Sequence, residues 1–84
     1  MAKFVTRRAS RCIAFLAWTP AAKRNQGKTA GEMPDGAIGE VYYIFRRGFP
    51  RYQYRFDGFR WDEFVAWRKA GSLGRYYNDN IKIG

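Results

Sequence analysis

Guanidinium groups and aromatic rings crowd one stretch of the chain, Arg46-Arg47-Gly48-Phe49-Pro50-Arg51-Tyr52-Gln53-Tyr54-Arg55-Phe56. A guanidinium is planar, always charged and shaped to hold two phosphate oxygens at once. Exposed tyrosine rings offer faces on which unpaired bases stack, at about 1–3 kcal/mol per base. The chemistry implied is phosphate neutralisation assisted by stacking. It nominates Arg46, Arg47, Arg51, Arg55 and Arg75 for phosphate, with Lys23, Arg24 and Lys28 adding charge from a separate loop. Tyr42, Tyr52 and Tyr76 are the candidate stacking rings.

The charge balance points the same way. Sixteen lysines and arginines face seven carboxylates, giving a net charge of +9, and no acidic residue precedes Glu32. A field of that sign concentrates near polyanions: nucleic acid, an anionic membrane surface or an acidic protein. Neutralising about five phosphates would give a log–log salt slope near −4.

Catalytic chemistry finds little to work with. The chain has no histidine, which removes the commonest general base and metal ligand. Cys12 opens an apolar run, where a thiol is ordinarily inert packing. The carboxylates are scattered, and Asp62 and Glu63 suit the start of a helix. The expectation is a protein that is not an enzyme and takes no cofactor or metal. Ala22-Lys-Arg-Asn-Gln-Gly27-Lys28-Thr29 comes within one residue of a phosphate-binding loop. Such a loop needs a helix at its Lys-Thr, and Gly31, Pro34 and Gly36 oppose one.

The elements that must position these residues are few. Residues 12–18 form an apolar run of strand length, ended by Thr19-Pro20. Residues 19–39, rich in Gly and Pro, read as a long exposed loop. The runs 41–45 and 52–56 read as an antiparallel hairpin. A helix over 60–70 would turn Trp61, Phe64 and Val65 to the sheet and stop at a left-handed Gly71. Ile81 and Ile83 suggest a short edge strand. Alternation sets Tyr52, Tyr54 and Phe56 on one face of their strand and Arg51, Gln53 and Arg55 on the other. The three rings either pack beneath Trp61 and Phe64 or lie open to bases. In the first case Tyr42, Ile44 and Arg46 join the arginines, so each arrangement leaves an arginine-and-tyrosine surface.

Tyr54-Arg55-Phe56-Asp57-Gly58-Phe59, a helix ending at Ala70-Gly71, and Ser72-Leu73-Gly74-Arg75-Tyr76-Tyr77-Asn78 together resemble the KTSC domain. That module occurs at the C-terminus of some lysyl-tRNA synthetases and as free-standing bacterial and phage proteins. The family's Tyr-x-Tyr strand matches Tyr52-Gln53-Tyr54 literally. Counting back from Ser72 and Gly74 places it on Tyr54-Arg55-Phe56, which needs no insertion before the helix. Arg60 stands where the family tends to have proline. The resemblance covers the last half of the chain well and a first strand near Ser10-Arg11-Cys12-Ile13 loosely. It implies one α+β domain over 1–84, a three-stranded antiparallel sheet with one helix on one face, and 19–39 as an inserted basic loop. It also implies RNA binding, the usual proposal for the family. Within 72–78, Arg75, Tyr76 and Asn78 either grip a ligand, or Tyr77 and Asn78 tie the tail to the core.

RNA or single-stranded nucleic acid is therefore the first expected partner. The alternative is a small phage-type inhibitor or interaction protein that docks on an acidic host protein. No apolar stretch is long enough to span a membrane. Residues 1–11 followed by 12–18 imitate a secretory signal, but cleavage would remove the first strand. A lone cysteine fits a reducing, cytoplasmic setting. Oligomeric state has no signature in the sequence.

Overall fold

A computed structural model describes residues 4–6, 12–49 and 51–81. Four strands, β1 (Phe4–Val5), β2 (Ile13–Pro20), β3 (Ile38–Phe45) and β4 (Gln53–Arg60), form one antiparallel sheet in the order β1-β2-β3-β4. Helix α1 (Trp61–Lys69) follows β4 directly, then a single turn, α2 (Leu73–Tyr76), and a π-turn over Tyr77–Ile81. The expected α+β class and antiparallel sheet are present, with four strands where the sequence suggested three. The addition is β1, which pairs Phe4 with Trp18 and Val5 with Ala17. Two residues carry no readable periodicity, so only the pairing partner defines this strand.

The hairpin strands are longer than their apolar runs. β2 continues through Thr19-Pro20, where proline is tolerated because it is the last residue of the strand. β4 passes straight through Asp57-Gly58-Phe59. Asp57 pairs with Glu40 and Phe59 with Gly39, so Gly58 is an extra residue in the ladder. Its φ of +72° is the left-handed conformation of a glycine bulge. The bulge resets the alternation of β4. Phe56 and Phe59 thereby lie on the same side, and Phe59 enters the core.

Helix α1 decides which face is covered. Trp61, Phe64 and Trp67 are its buried residues, whereas Val65 is only half-buried. Trp61 and Phe64 pack on Trp18, with ring centroids 5.1 and 6.3 Å away. Trp67 meets Tyr43 at 5.5 Å and Phe59 at 6.0 Å. The covered face is therefore that of Leu16, Trp18, Val41 and Tyr43. Two of the three buried indoles also donate hydrogen bonds, Trp18 Nε1 to the Phe59 carbonyl at 2.9 Å and Trp67 Nε1 to the Leu73 carbonyl at 3.0 Å. The first fixes the bulged end of β4. The second fixes the turn after the helix.

The long connection has a structural duty. It contains two 3-10 turns, Lys23–Asn25 and Ala30–Glu32, and buries Asn25, Met33 and Ala37. The carbonyls of Ala37 and Asp35 accept from the Trp61 and Asp62 N–H groups at 2.9 and 3.0 Å. Glu63 Oε1 accepts from the Arg60 N–H at 3.1 Å. Donors that a helix start leaves unpaired are thus satisfied partly by the segment read as an insertion. Thr29 Oγ1 and N–H both donate to Glu32 Oε1, at 3.0 and 2.9 Å, and the backbone bond leads in lowering the Glu32 pKa. Lys28-Thr29 accordingly opens a three-residue turn, with no helix to aim at a phosphate.

Two expectations about chain ends change. Ala70 stops α1 in extended geometry, φ −62° and ψ 150°, and Gly58 alone among the described residues has a positive φ, so Gly71 is not a left-handed cap. Ile81 is buried in the π-turn instead of forming an edge strand, and Ile83 lies outside the described residues.

Candidate functional site

The connection from β3 to β4 folds as a 3-10 turn, Arg46–Gly48, beyond the free end of the helix-covered face. Phe45, Arg47, Tyr52 and Tyr54 line an open groove there, of about 350 Å³. Tyr54 stacks on Tyr43 at 5.6 Å and 18° and meets Phe45 edge-on at 5.6 Å. Phe45 is held in turn by Tyr77 at 5.1 Å. One wall is therefore fixed by interlocked rings. Tyr52 forms the free side, 63% exposed, and Phe49 on the turn is 56% exposed.

Strand position explains why these rings stay open. β4 is an edge strand, and α1 meets it at Phe59, near its C-terminal end. Tyr54 and Phe56 share the covered face but lie toward the other end of the strand, 47% and 37% exposed. They pack on Tyr43, Phe45 and Phe59 and not, among the described contacts, on Trp61 or Phe64. The face is the one that burial required, but the helix is too short to close over it. Beneath them Tyr43 is 7% exposed, and burial, with help from its bond to Tyr77, raises its pKa to about 12.

The eleven nominated residues divide into groups. Arg46, Arg47, Arg51 and Tyr52 all belong to the β3–β4 connection. Among the described residues, Arg47 and Arg51 have no carboxylate within ion-pair distance. The Arg46 N–H is bound to the Cys12 carbonyl at 2.9 Å, which ties the turn to the start of β2. Arg55 and Tyr42 form a cross-strand pair on the opposite face. There Arg55 bonds Asp57 at 3.1 Å and approaches Glu40 at 3.6 Å, while the Tyr42 hydroxyl donates to Glu40 Oε2 at 2.9 Å. That bond is the chief reason the Tyr42 pKa is raised. Two carboxylates balance the Arg55 charge, and the cross-strand one, Glu40, is a partner that a single strand's alternation could not reveal.

Lys23, Arg24 and Lys28 belong to the connection that leaves the sheet at Pro20, the end opposite to the β3–β4 turn. Strands of eight residues span roughly 26 Å, so the two basic connections do not start from one place. Arg75 is exposed near Asp79 at 4.0 Å, and Tyr76 is half-buried against Trp67 at 6.3 Å and 18°.

The 72–78 segment makes several structural contacts. Ser72 Oγ accepts from the Arg75 N–H at 3.2 Å. Gly74 is packed so closely on Cys12 that an added Cβ would lie 2.6 Å from Cys12 Cβ. Tyr77 joins the core margin, while Asn78 is exposed and it is Asn80 whose side chain donates to the Tyr76 carbonyl. Phe45 is a groove residue that the sequence reading did not nominate, and Phe49 is an exposed ring on the adjoining turn. Period-two alternation from Tyr43 would have placed Phe45.

No family model, no characterised protein and no solved structure matches this chain. Among the described residues no helix is long and apolar enough to cross a membrane.

Proposed function

We propose that this chain is a non-catalytic module that binds RNA or other single-stranded nucleic acid at the β3–β4 end of its sheet. The observation that carries this reading is the open groove of Phe45, Tyr52 and Tyr54 with the Arg47 side chain in its wall. A base inserted there stacks on Tyr52 or Tyr54, while Arg46, Arg47 and Arg51 meet the flanking phosphates. Duplexes hide their base faces, so they compete poorly for such a site. With Arg55 balanced by Glu40 and Asp57, about three phosphates remain to be neutralised, and the salt slope on a single strand falls to about −2. Lys23, Arg24, Lys28 and Arg75 add charge without contributing to the groove. The antiparallel strands followed by a helix and a Ser72-capped turn support affiliation with the KTSC family, although the sheet has four strands, and a cytoplasmic setting goes with that reading.

Fluorescence anisotropy on single-stranded RNA, duplex RNA and duplex DNA across a salt series tests this. Tyr52→Ala should weaken single-strand binding roughly five- to 150-fold, and Arg47→Ala should make the slope shallower by about 0.7. Arg55→Ala should bind like the wild type. A slope near zero, or equal losses from Tyr52→Ala and Arg55→Ala, would overturn the proposal. The exposed rings Phe49, Tyr52, Tyr54 and Phe56 give the inhibitor reading its own footing, because aromatic patches also anchor protein interfaces. A tight, salt-tolerant protein complex lost in Tyr52→Ala would favour that reading.

A further inference from the structure

β4 ends the sheet, and among the described residues no other strand pairs with its outer side. All of Gln53–Gly58 is exposed. A strand edge of this kind presents unpaired N–H and C=O groups, and proteins ordinarily blunt it or use it. The blunting devices in β4 are the Gly58 bulge, near one end, and the exposed charges of Arg55, Asp57 and Arg60. The bulge leaves residues 53–57 as a regular, open ladder.

The sequence of that ladder is complementary to itself. We propose that two copies of this chain pair through β4, antiparallel about a two-fold axis at Phe56. A two-fold antiparallel pairing sets each residue opposite its mirror position about the axis. Phe56 then faces Phe56 of the second copy. Arg55 faces Asp57 of the second copy, and Asp57 faces the second Arg55, so the Arg55–Asp57 pair within each copy extends into a four-charge cluster across the seam. Aromatic and opposite-charge cross-strand pairs are the favourable classes, and here every central pair belongs to one of them.

The occupant is selected by this charge pattern. A free nucleic acid strand has no backbone donors and acceptors to continue the ladder. An arbitrary peptide has no reason to place acid opposite Arg55 and base opposite Asp57 in one register. The pairing sits on the edge and leaves Arg47 and Tyr52 unoccupied, so it does not depend on what the groove binds. Two chains of charge +9 repel each other. Salt screens that repulsion, so dimerisation should strengthen as salt rises from about 0.05 to 0.5 M, the opposite sign to nucleic-acid binding.

Sedimentation velocity of the full chain without nucleic acid, over a wide concentration range at both salts, provides the test. Wild type should show a monomer–dimer equilibrium. Arg55→Asp sets Asp opposite Asp, and Asp57→Arg sets Arg opposite Arg. Each like-charge contact occurs twice about the axis, so either change should weaken the dimer by roughly tenfold or more. Mixed together, the two variants regain Asp–Arg pairs at both places, and a fluorescently labelled copy of one should enter a heterodimer with the other. Circular dichroism verifies that both variants fold. The double variant Arg55→Asp/Asp57→Arg, which restores the pairs within one chain, should dimerise again. A wild type that stays monomeric throughout would overturn the proposal, as would a dimer indifferent to both single changes or variants that fail to associate when mixed.

Discussion

Gly39 carries a sharp packing prediction. It lies in β3 directly beneath the Trp18 indole, and an added Cβ would stand 2.5 Å from Trp18 Cε2 and Cζ2 and closer still to the Thr19 carbonyl oxygen. Real Cβ contacts are not that short, so Gly39→Ala must displace something. The candidates are both poorly placed to yield. The Thr19 carbonyl is strand backbone, and the indole is packed against Trp61 and Phe64 with its N–H bound to the Phe59 carbonyl. Overpacking a tight core costs about 1–3 kcal/mol, and a clash with backbone belongs at the upper end. For a domain of this size that lowers Tm by roughly 10–20 °C. Thermal melts followed by circular dichroism should show the drop, and tryptophan emission should shift as Trp18 leaves its site. Gly27→Ala is the control, because no atom lies within 4 Å of its Cβ position. There alanine restricts the unfolded chain and should leave Tm equal or slightly higher. A Gly39→Ala protein melting within about 2 °C of wild type would refute the placement of Trp18 against β3.

Further outcomes concern the aromatic floor under the groove. Because burial holds the Tyr43 pKa near 12 in the folded chain against about 10 unfolded, the folded state keeps its proton longer. Stability from this group is complete below pH 10 and declines between pH 10 and about 12, by up to about 2–3 kcal/mol. Urea midpoints across that range should fall less steeply in Tyr43→Phe, and identical slopes would contradict the burial. Trp67→Phe removes the donor to the Leu73 carbonyl and leaves a gap among Tyr43, Phe59 and Tyr77. A loss of about 1–3 kcal/mol is expected in denaturant titrations. Hydrogen exchange should show early loss of protection in α2.

Much of the fold is local in origin, and so it could be read along the chain. The apolar run before Thr19, the aromatic hairpin and the helix after Arg60 each follow from side-chain period and flanking charge. β1 could not be read that way, because two residues become a strand only by meeting Ala17 and Trp18. Nor could the role of Trp67, which lies at the far end of the helix and is buried because the Leu73 turn folds back on it. The candidate site divides along the same line. Arg47, Arg51 and Tyr52 were visible as types in a turn, where no neighbour constrains them.

The sequence by itself determined the supply of charge and rings and the order of strands and helix, since these depend on residue type and near-neighbour spacing. The tertiary structure decided how they are used. A bulge at Gly58 turned Phe59 inward, register set Arg55 beside Glu40, and a nine-residue helix left Tyr54 uncovered. Those outcomes depend on which residues of distant strands face one another, and cross-strand geometry is fixed only when the whole sheet closes on its core.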